Sequence, residues 1–138
     1  MAWLLIFPTL GALVSLKFTD PGFLGDISWL TFGRLRPVHV NGVIWGAFST
    51  LFIGLCLWVV PRLCGTRLWR EEWSWPLLVA WNANLVIALG LVLAGWNRGW
   101  EVGELPLANV VVLFGALLTL TLQMLMTIRH RRETPLYV

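Results

Sequence analysis

The chain has 138 residues, of which 58% are hydrophobic and 12% charged, with a formal net charge of +3. A water-soluble domain carries about 25% charged residues, so this balance excludes an ordinary soluble core. It also excludes a disordered chain, a disulfide scaffold and a nucleic-acid module. The mean hydropathy of +0.77 points instead to the lipid bilayer as solvent.

Four stretches lack Asp, Glu, Lys and Arg: 1–16, 37–61, 73–97 and 105–128, with lengths of 16, 25, 25 and 24 residues. A membrane-crossing helix needs ~20 apolar residues. Lipid cannot satisfy open backbone groups, so each stretch is predicted to be a helix. The expected fold is an all-α, polytopic membrane domain over 1–138, with spans near 3–17, 38–60, 76–96 and 105–128. The first run is short and contains Pro8. No basic segment precedes it and no convincing cleavage site follows, so a signal peptide is disfavoured. It reads as the C-terminal part of a span whose beginning is missing or very short.

In the second run, Pro37 suits the first turn of a helix, where its missing N–H costs nothing. The helix is therefore expected to start near Pro37, with His39 in its first turn, ~5 Å inside the boundary at 1.5 Å per residue. A histidine there can simply reach the interface, but an ionisable residue inside a span also marks a functional site. Gly42, Val43, Gly46, Ser49, Thr50 and Ile53 continue its face. The Gly42/Gly46 pair forms a GxxxG, with two readings. One is close helix–helix packing; the other is room for a flat cofactor beside an imidazole, an axial ligand to haem iron when neutral. Arg34 and Arg36, just outside the span, suit haem propionates because guanidinium binds carboxylates bidentately. The plain alternative is ordinary interfacial arginine.

The loop after the second run carries Arg62, Arg67 and Arg70, and the tail carries Arg129, Arg131 and Arg132. The other side carries Lys17, Arg34, Arg36 and Arg98. The excess of basic residues puts the 62–72 loop and the C-terminus in the cytoplasm. Trp58, Trp69, Trp73 and Trp75 mark the inner boundary, and Trp29, Trp96 and Trp100 the outer one. Cys56 and Cys64 have neither metal-site nor haem-attachment spacing and read as two unlinked thiols. Asn82 and Asn84 in the third run and Gln123 in the fourth are expected to hydrogen-bond between helices.

The outer loop 97–104 holds Glu101 and Glu104. Two carboxylates three apart could hold a hard cation such as calcium, lie on a proton path, or be solvated. His130, at the inner end of the last run, lies a membrane thickness from His39, and the chain has two histidines. A haem with two histidine ligands would take its second from elsewhere.

The run Phe32-Gly33-Arg34-Leu35-Arg36-Pro37-Val38-His39 resembles the start of the second helix of the catalytic subunit of heme–copper oxidases. The C-family, or cbb-type, cytochrome c oxidases are most similar, followed by the nitric oxide reductases. The segment WVVPRLCGTRL is similar to that family's inner loop, and RRETPLYV to the segment joining its fourth and fifth helices. The resemblance runs from about residue 3 to 138. It implies that the chain is the N-terminal part of a subunit with about twelve membrane helices of ordinary length. It implies that His39 is one axial ligand of a low-spin haem b, that Glu101 lies near a calcium ion, and that Glu104 belongs to the polar region above the haems. The high-spin haem and copper would be bound by later segments only. Implied partners are the remainder of the subunit, c-type cytochrome subunits and the lipid bilayer, in a bacterial inner membrane. The implied reaction is electron transfer to an oxygen-reducing centre, coupled to proton translocation. The chain alone lacks that centre and is not expected to be catalytic. A nitric oxide reductase fragment and a non-catalytic four-helix assembly protein are the other readings.

Overall fold

The computed structural model describes residues 2–132. Among these residues the secondary structure is entirely helical. Helix α1 spans Ala2–Thr19 and α2 spans Phe32–Asn41. Helix α2 runs on through a π-helical segment, Gly42–Phe48, into α3, Ser49–Leu63. Helices α4, Ser74–Ala94, and α5, Leu107–Arg129, complete the bundle. Short 3₁₀ turns at Ser28–Leu30 and Glu71–Trp73 lead into α2 and α4. Four helical stretches are long and apolar enough to cross a bilayer: Ala2–Thr19, Phe32–Leu63, Glu71–Ala94 and Leu107–Arg129. The chain is a multi-pass membrane protein. The segment RRETPLYV lies mostly outside the described residues, which end at Arg132.

The second helix corrects the expected boundary. It begins at Phe32, after an extended Thr31, and Pro37 lies inside it. Proline removes one N–H, so a single carbonyl one turn earlier loses its usual donor. Packing overrides that local preference here: Leu35, Pro37 and Val38 are all buried. The continuous helix is 32 residues long, or ~48 Å against a hydrocarbon core of ~30 Å. Its first turns, with Arg34 and Arg36, therefore stand outside the apolar slab.

The π segment widens the helix where neighbours approach it, and its carbonyls recruit side-chain donors. Ser49 Oγ donates to the Ile44 carbonyl at 2.8 Å, and the Trp81 indole N–H donates to the Trp45 carbonyl at 3.1 Å. Such wide turns favour functional regions of helices. Helix α1 packs on α2 and on this segment through Phe7, whose ring fills the hollow left by Gly42 and Gly46. A Cβ on Gly42 would lie 2.2 Å from that ring, and one on Gly46 2.8 Å from it. The GxxxG is thus a helix-packing notch. The Phe7 ring occupies the space beside both glycines, the close packing that a GxxxG allows.

Helix α4 is the most enclosed element, burying Trp81, Leu85, Ala88, Leu89 and Val92 in a core with Phe7, Val38, Leu105, Leu113 and Ala116. Interhelical amides tie it to both sides. Trp3 Nε1 donates to Asn82 Oδ1 at 2.6 Å, joining α1 to α4. Asn84 and Asn109 bond reciprocally: Asn109 Nδ2 donates to Asn84 Oδ1 at 2.8 Å and Asn84 Nδ2 to the Asn109 carbonyl at 3.1 Å. Gln123 Nε2 donates to the Arg70 carbonyl and to Ser74 Oγ, both at 3.0 Å. All three amides meet the expectation. Cys56 and Cys64 are free thiols, as expected. The backbone N–H of Arg132 donates to the Cys64 carbonyl at 3.0 Å, which closes the end of the bundle opposite His39. There Trp58 and Trp75 are exposed, and the Arg62 guanidinium stacks 4.1 Å above the Trp58 ring. Exposed Trp29, Trp96 and Trp100 lie at the other end.

Candidate functional site around His39

His39 is the eighth residue of α2, half-buried, and its ring turns toward α1. Nδ1 lies 2.8 Å from the Phe7 carbonyl oxygen. A carbonyl can only accept, so Nδ1 carries the proton and donates. In a neutral imidazole that proton on Nδ1 leaves the lone pair on Nε2. Metal-bound histidines usually donate their second ring N–H to a carbonyl or carboxylate in this way. The edge of the ring rests against Gly11 of α1. Neither Phe7 nor Gly11 stood out in the sequence, where an apolar helix with a glycine carries no polar signal.

The other candidate residues gather at the same end of the bundle, each with a partner of its own. Arg34 Nη1 donates to the Leu93 carbonyl at 3.0 Å, and its guanidinium lies over Gly95. Helix α4 ends at Gly95 in the left-handed region, φ +99°, and leaves carbonyls open; a cation there also suits the helix dipole. Leu93 accepts one of the five guanidinium N–H groups, so donors remain for a carboxylate.

Arg36 forms an ion pair with Glu101, whose side chain is 72% exposed. Pairs this exposed contribute little, typically under ~1 kcal/mol, because water and salt screen them. Arg36→Gln is therefore expected to change thermal stability by less than ~1 kcal/mol, and less still in high salt. A clear drop in the melting temperature that salt does not diminish would show that Arg36 holds something besides Glu101.

Glu104 has the opposite surroundings. The loop turns at 100–103, where Gly103 N–H bonds the Trp100 carbonyl at 3.0 Å and Val102 adopts φ +64°. That turn sends Glu104 and Leu105 inward, to 6% and 1% exposure. Glu104 Oε2 accepts from Asn41 Nδ2 at 2.7 Å, and Asn41 is completely buried. Asn41 Nδ2 also donates to the Pro37 carbonyl at 2.9 Å, while its Oδ1 has no partner among the described residues. The two glutamates thus point to different environments and do not converge. Among the described residues no cluster of three His, Cys, Asp or Glu could hold a metal ion. Glu101 is engaged by a guanidinium and Glu104 by Asn41, so the two carboxylates do not share one cation site. Asn41 is the residue the sequence reading missed, two positions beyond His39 on a helix otherwise read for small residues.

His130 closes α5 at the opposite end, with Nδ1 donating to the Met126 carbonyl at 2.7 Å. It is far from His39 along the bundle, as its place in the sequence required.

Comparison with known proteins agrees with this architecture. The family model for cytochrome c and quinol oxidase polypeptide I matches residues 1–138. The chain is 31% identical over 129 residues to a cytochrome c oxidase subunit 1 homolog of Azorhizobium caulinodans, covering 94% of this chain and 23% of that protein. It is 28% identical over 134 residues to the cbb3-type cytochrome c oxidase subunit CcoN1 of Stutzerimonas stutzeri, covering 85% of this chain and 27% of that one. It is 30% identical over 116 residues to cytochrome c oxidase subunit 1 of Rhodobacter capsulatus, covering 79% and 21%. The chain therefore spans about a quarter or less of the length of these relatives. Four membrane-length helices among the described residues and a family match along the whole length lead to one conclusion: the chain belongs to the cytochrome c and quinol oxidase polypeptide I family.

Proposed function

We propose that this chain is the N-terminal region of the catalytic subunit of a cbb-type cytochrome c oxidase, and that His39 supplies one axial ligand to its low-spin haem b. The observation that carries the ligand assignment is the 2.8 Å contact from His39 Nδ1 to the Phe7 carbonyl. Of the two neutral tautomers it selects the one protonated on Nδ1, which leaves the lone pair on Nε2. Bound there, haem iron supplies one-electron redox chemistry. This chain's own residues orient and shield. Helix α1 holds the imidazole through the Phe7 carbonyl and against Gly11, and the remaining N–H donors of Arg34, with Arg36 beside it, are available for propionate oxygens. Glu104, buried against Asn41, is the carboxyl on that side available for proton traffic. The oxygen-reducing centre, the high-spin haem and copper belong to segments outside this chain, and c-type cytochrome subunits are the electron donors. The cbb3-type relative supports oxygen as the substrate. The bacterial relatives support a bacterial inner membrane, and the distribution of arginines supports the 62–72 loop and the C-terminus lying in the cytoplasm.

The test is His39→Ala in the assembled complex, purified from its own membrane and examined by reduced-minus-oxidised spectroscopy. The low-spin haem b band is expected to disappear while the remaining metal centres persist. An unchanged low-spin band would overturn the ligand assignment.

A further inference from the structure

Helix α1 meets the imidazole at one place, and the residue there is glycine. A Cβ built on Gly11 would lie 2.3 Å from His39 Cε1, 2.8 Å from Nδ1 and 2.9 Å from Nε2, whereas ordinary contact begins near 3.4 Å. The whole nitrogen-bearing edge of the ring occupies the volume that any other side chain would fill.

The same position controls the hydrogen bond. In an α-helix the carbonyl of residue i points along the axis toward residue i+4. For the Phe7 carbonyl that residue is Gly11. A side chain at i+4 shields the oxygen's second lone pair from a neighbouring helix, because side chains lean back toward the helix N-terminus. Without a Cβ at Gly11, the Phe7 oxygen is open to His39 Nδ1 at 2.8 Å. The backbone cannot retreat to make room. Phe7 is wedged into Gly42 and Gly46 on the N-terminal side of Gly11, and the Phe18 ring packs edge-on against Phe32 of α2 on its C-terminal side, so α1 is tied to the second helix on both sides of Gly11.

We propose that Gly11 is a positioning residue for His39: its bare Cα sets the plane of the imidazole and leaves the Phe7 carbonyl free to fix its tautomer. This rests on His39 being the haem ligand and goes beyond it, because it names the element that aims Nε2. Any side chain at Gly11 pushes the ring off the Phe7 carbonyl and turns Nε2 away from its direction.

The test uses Gly11→Ala in the assembled complex, read by the spectrum and midpoint potential of the low-spin haem b. Gly54→Ala and Gly115→Ala serve as controls, since a Cβ at either meets nothing within 4 Å among the described residues. Loss of the low-spin band in Gly11→Ala, or a shifted band and potential, is expected, with the controls at wild-type values. A wild-type band and potential in Gly11→Ala, where His39→Ala abolishes the band, would overturn the positioning role and leave the ligand assignment standing. Retention of the band in His39→Ala would instead remove the ligand assignment, and with it this role. If Gly11→Ala fails to assemble, the double variant with His39→Ala decides. Assembly restored to the level of His39→Ala alone supports a clash with the ring, while assembly still lost shows that Gly11 serves some other contact and overturns the proposal.

Discussion

Asn41→Leu is expected to destabilise the assembled protein by about 2–4 kcal/mol, through the loss of one hydrogen bond and the isolation of a carboxyl group. Asn41 is fully buried, and its Nδ2 is the side-chain donor bonded to Glu104, which is itself 6% exposed. Leucine has similar volume, so little of the cost arises from a cavity. It arises because Glu104 cannot return to water and no longer has its donor. Removing both polar groups together is far milder than removing one, so Asn41→Leu with Glu104→Leu should recover much of the loss. Melting temperatures of the solubilised complex would measure this. An Asn41→Leu variant that melts with the wild type would mean that Glu104 is satisfied by other groups, and the pair would cease to explain why this loop folds inward.

The second large effect is expected where α1 enters the π segment. Phe7→Ala removes a ring that is 3% exposed and should cost about 3–5 kcal/mol. Gly42→Ala puts a methyl group 2.2 Å from the same ring and should cost about 1–3 kcal/mol by overpacking. The two are not independent. With the ring gone, the added methyl occupies vacated space, so the double variant should be more stable than the sum by about 1–2 kcal/mol. Denaturation of the three variants under one set of conditions gives the coupling. Strictly additive losses would show that the ring and Gly42 do not share a contact.

These sites divide what could be read from the sequence from what could not. Charge-free runs expose membrane helices because lipid penalises charge and open backbone, and that constraint is local to each run. Asn82, Asn84 and Gln123 were legible for the same reason, since an amide in an apolar run must find a partner on a neighbouring helix. The start of the second helix was not legible. Pro37 tolerates two placements, and burial of Leu35 and Val38, a tertiary fact, decides between them. The π segment was hidden because its residues suit a regular helix equally well. The occupant of the Gly42/Gly46 notch was hidden too, because small residues admit a ring from any partner. Glu101 and Glu104 looked alike until the turn at 100–103 sent one outward to Arg36 and the other inward to Asn41. Candidate ligands could thus be picked by type, but Phe7 and Gly11 contribute a carbonyl and an absent Cβ, and neither has a residue-type signature.

The length of the second helix has an electrical consequence. With a hydrocarbon core of ~30 Å centred on a helix of ~48 Å, about 9 Å of helix extends beyond the core at each end. His39 stands seven residues, or ~10 Å, from Phe32, at the rim of the insulating layer. A transmembrane voltage drops across that layer, at ~2.3 kcal/mol per elementary charge for each 100 mV. A redox group held by His39, as proposed, would exchange electrons with the Arg34 and Arg36 side almost outside the field. An electron moving from it toward the Leu63 end would cross nearly all of the field.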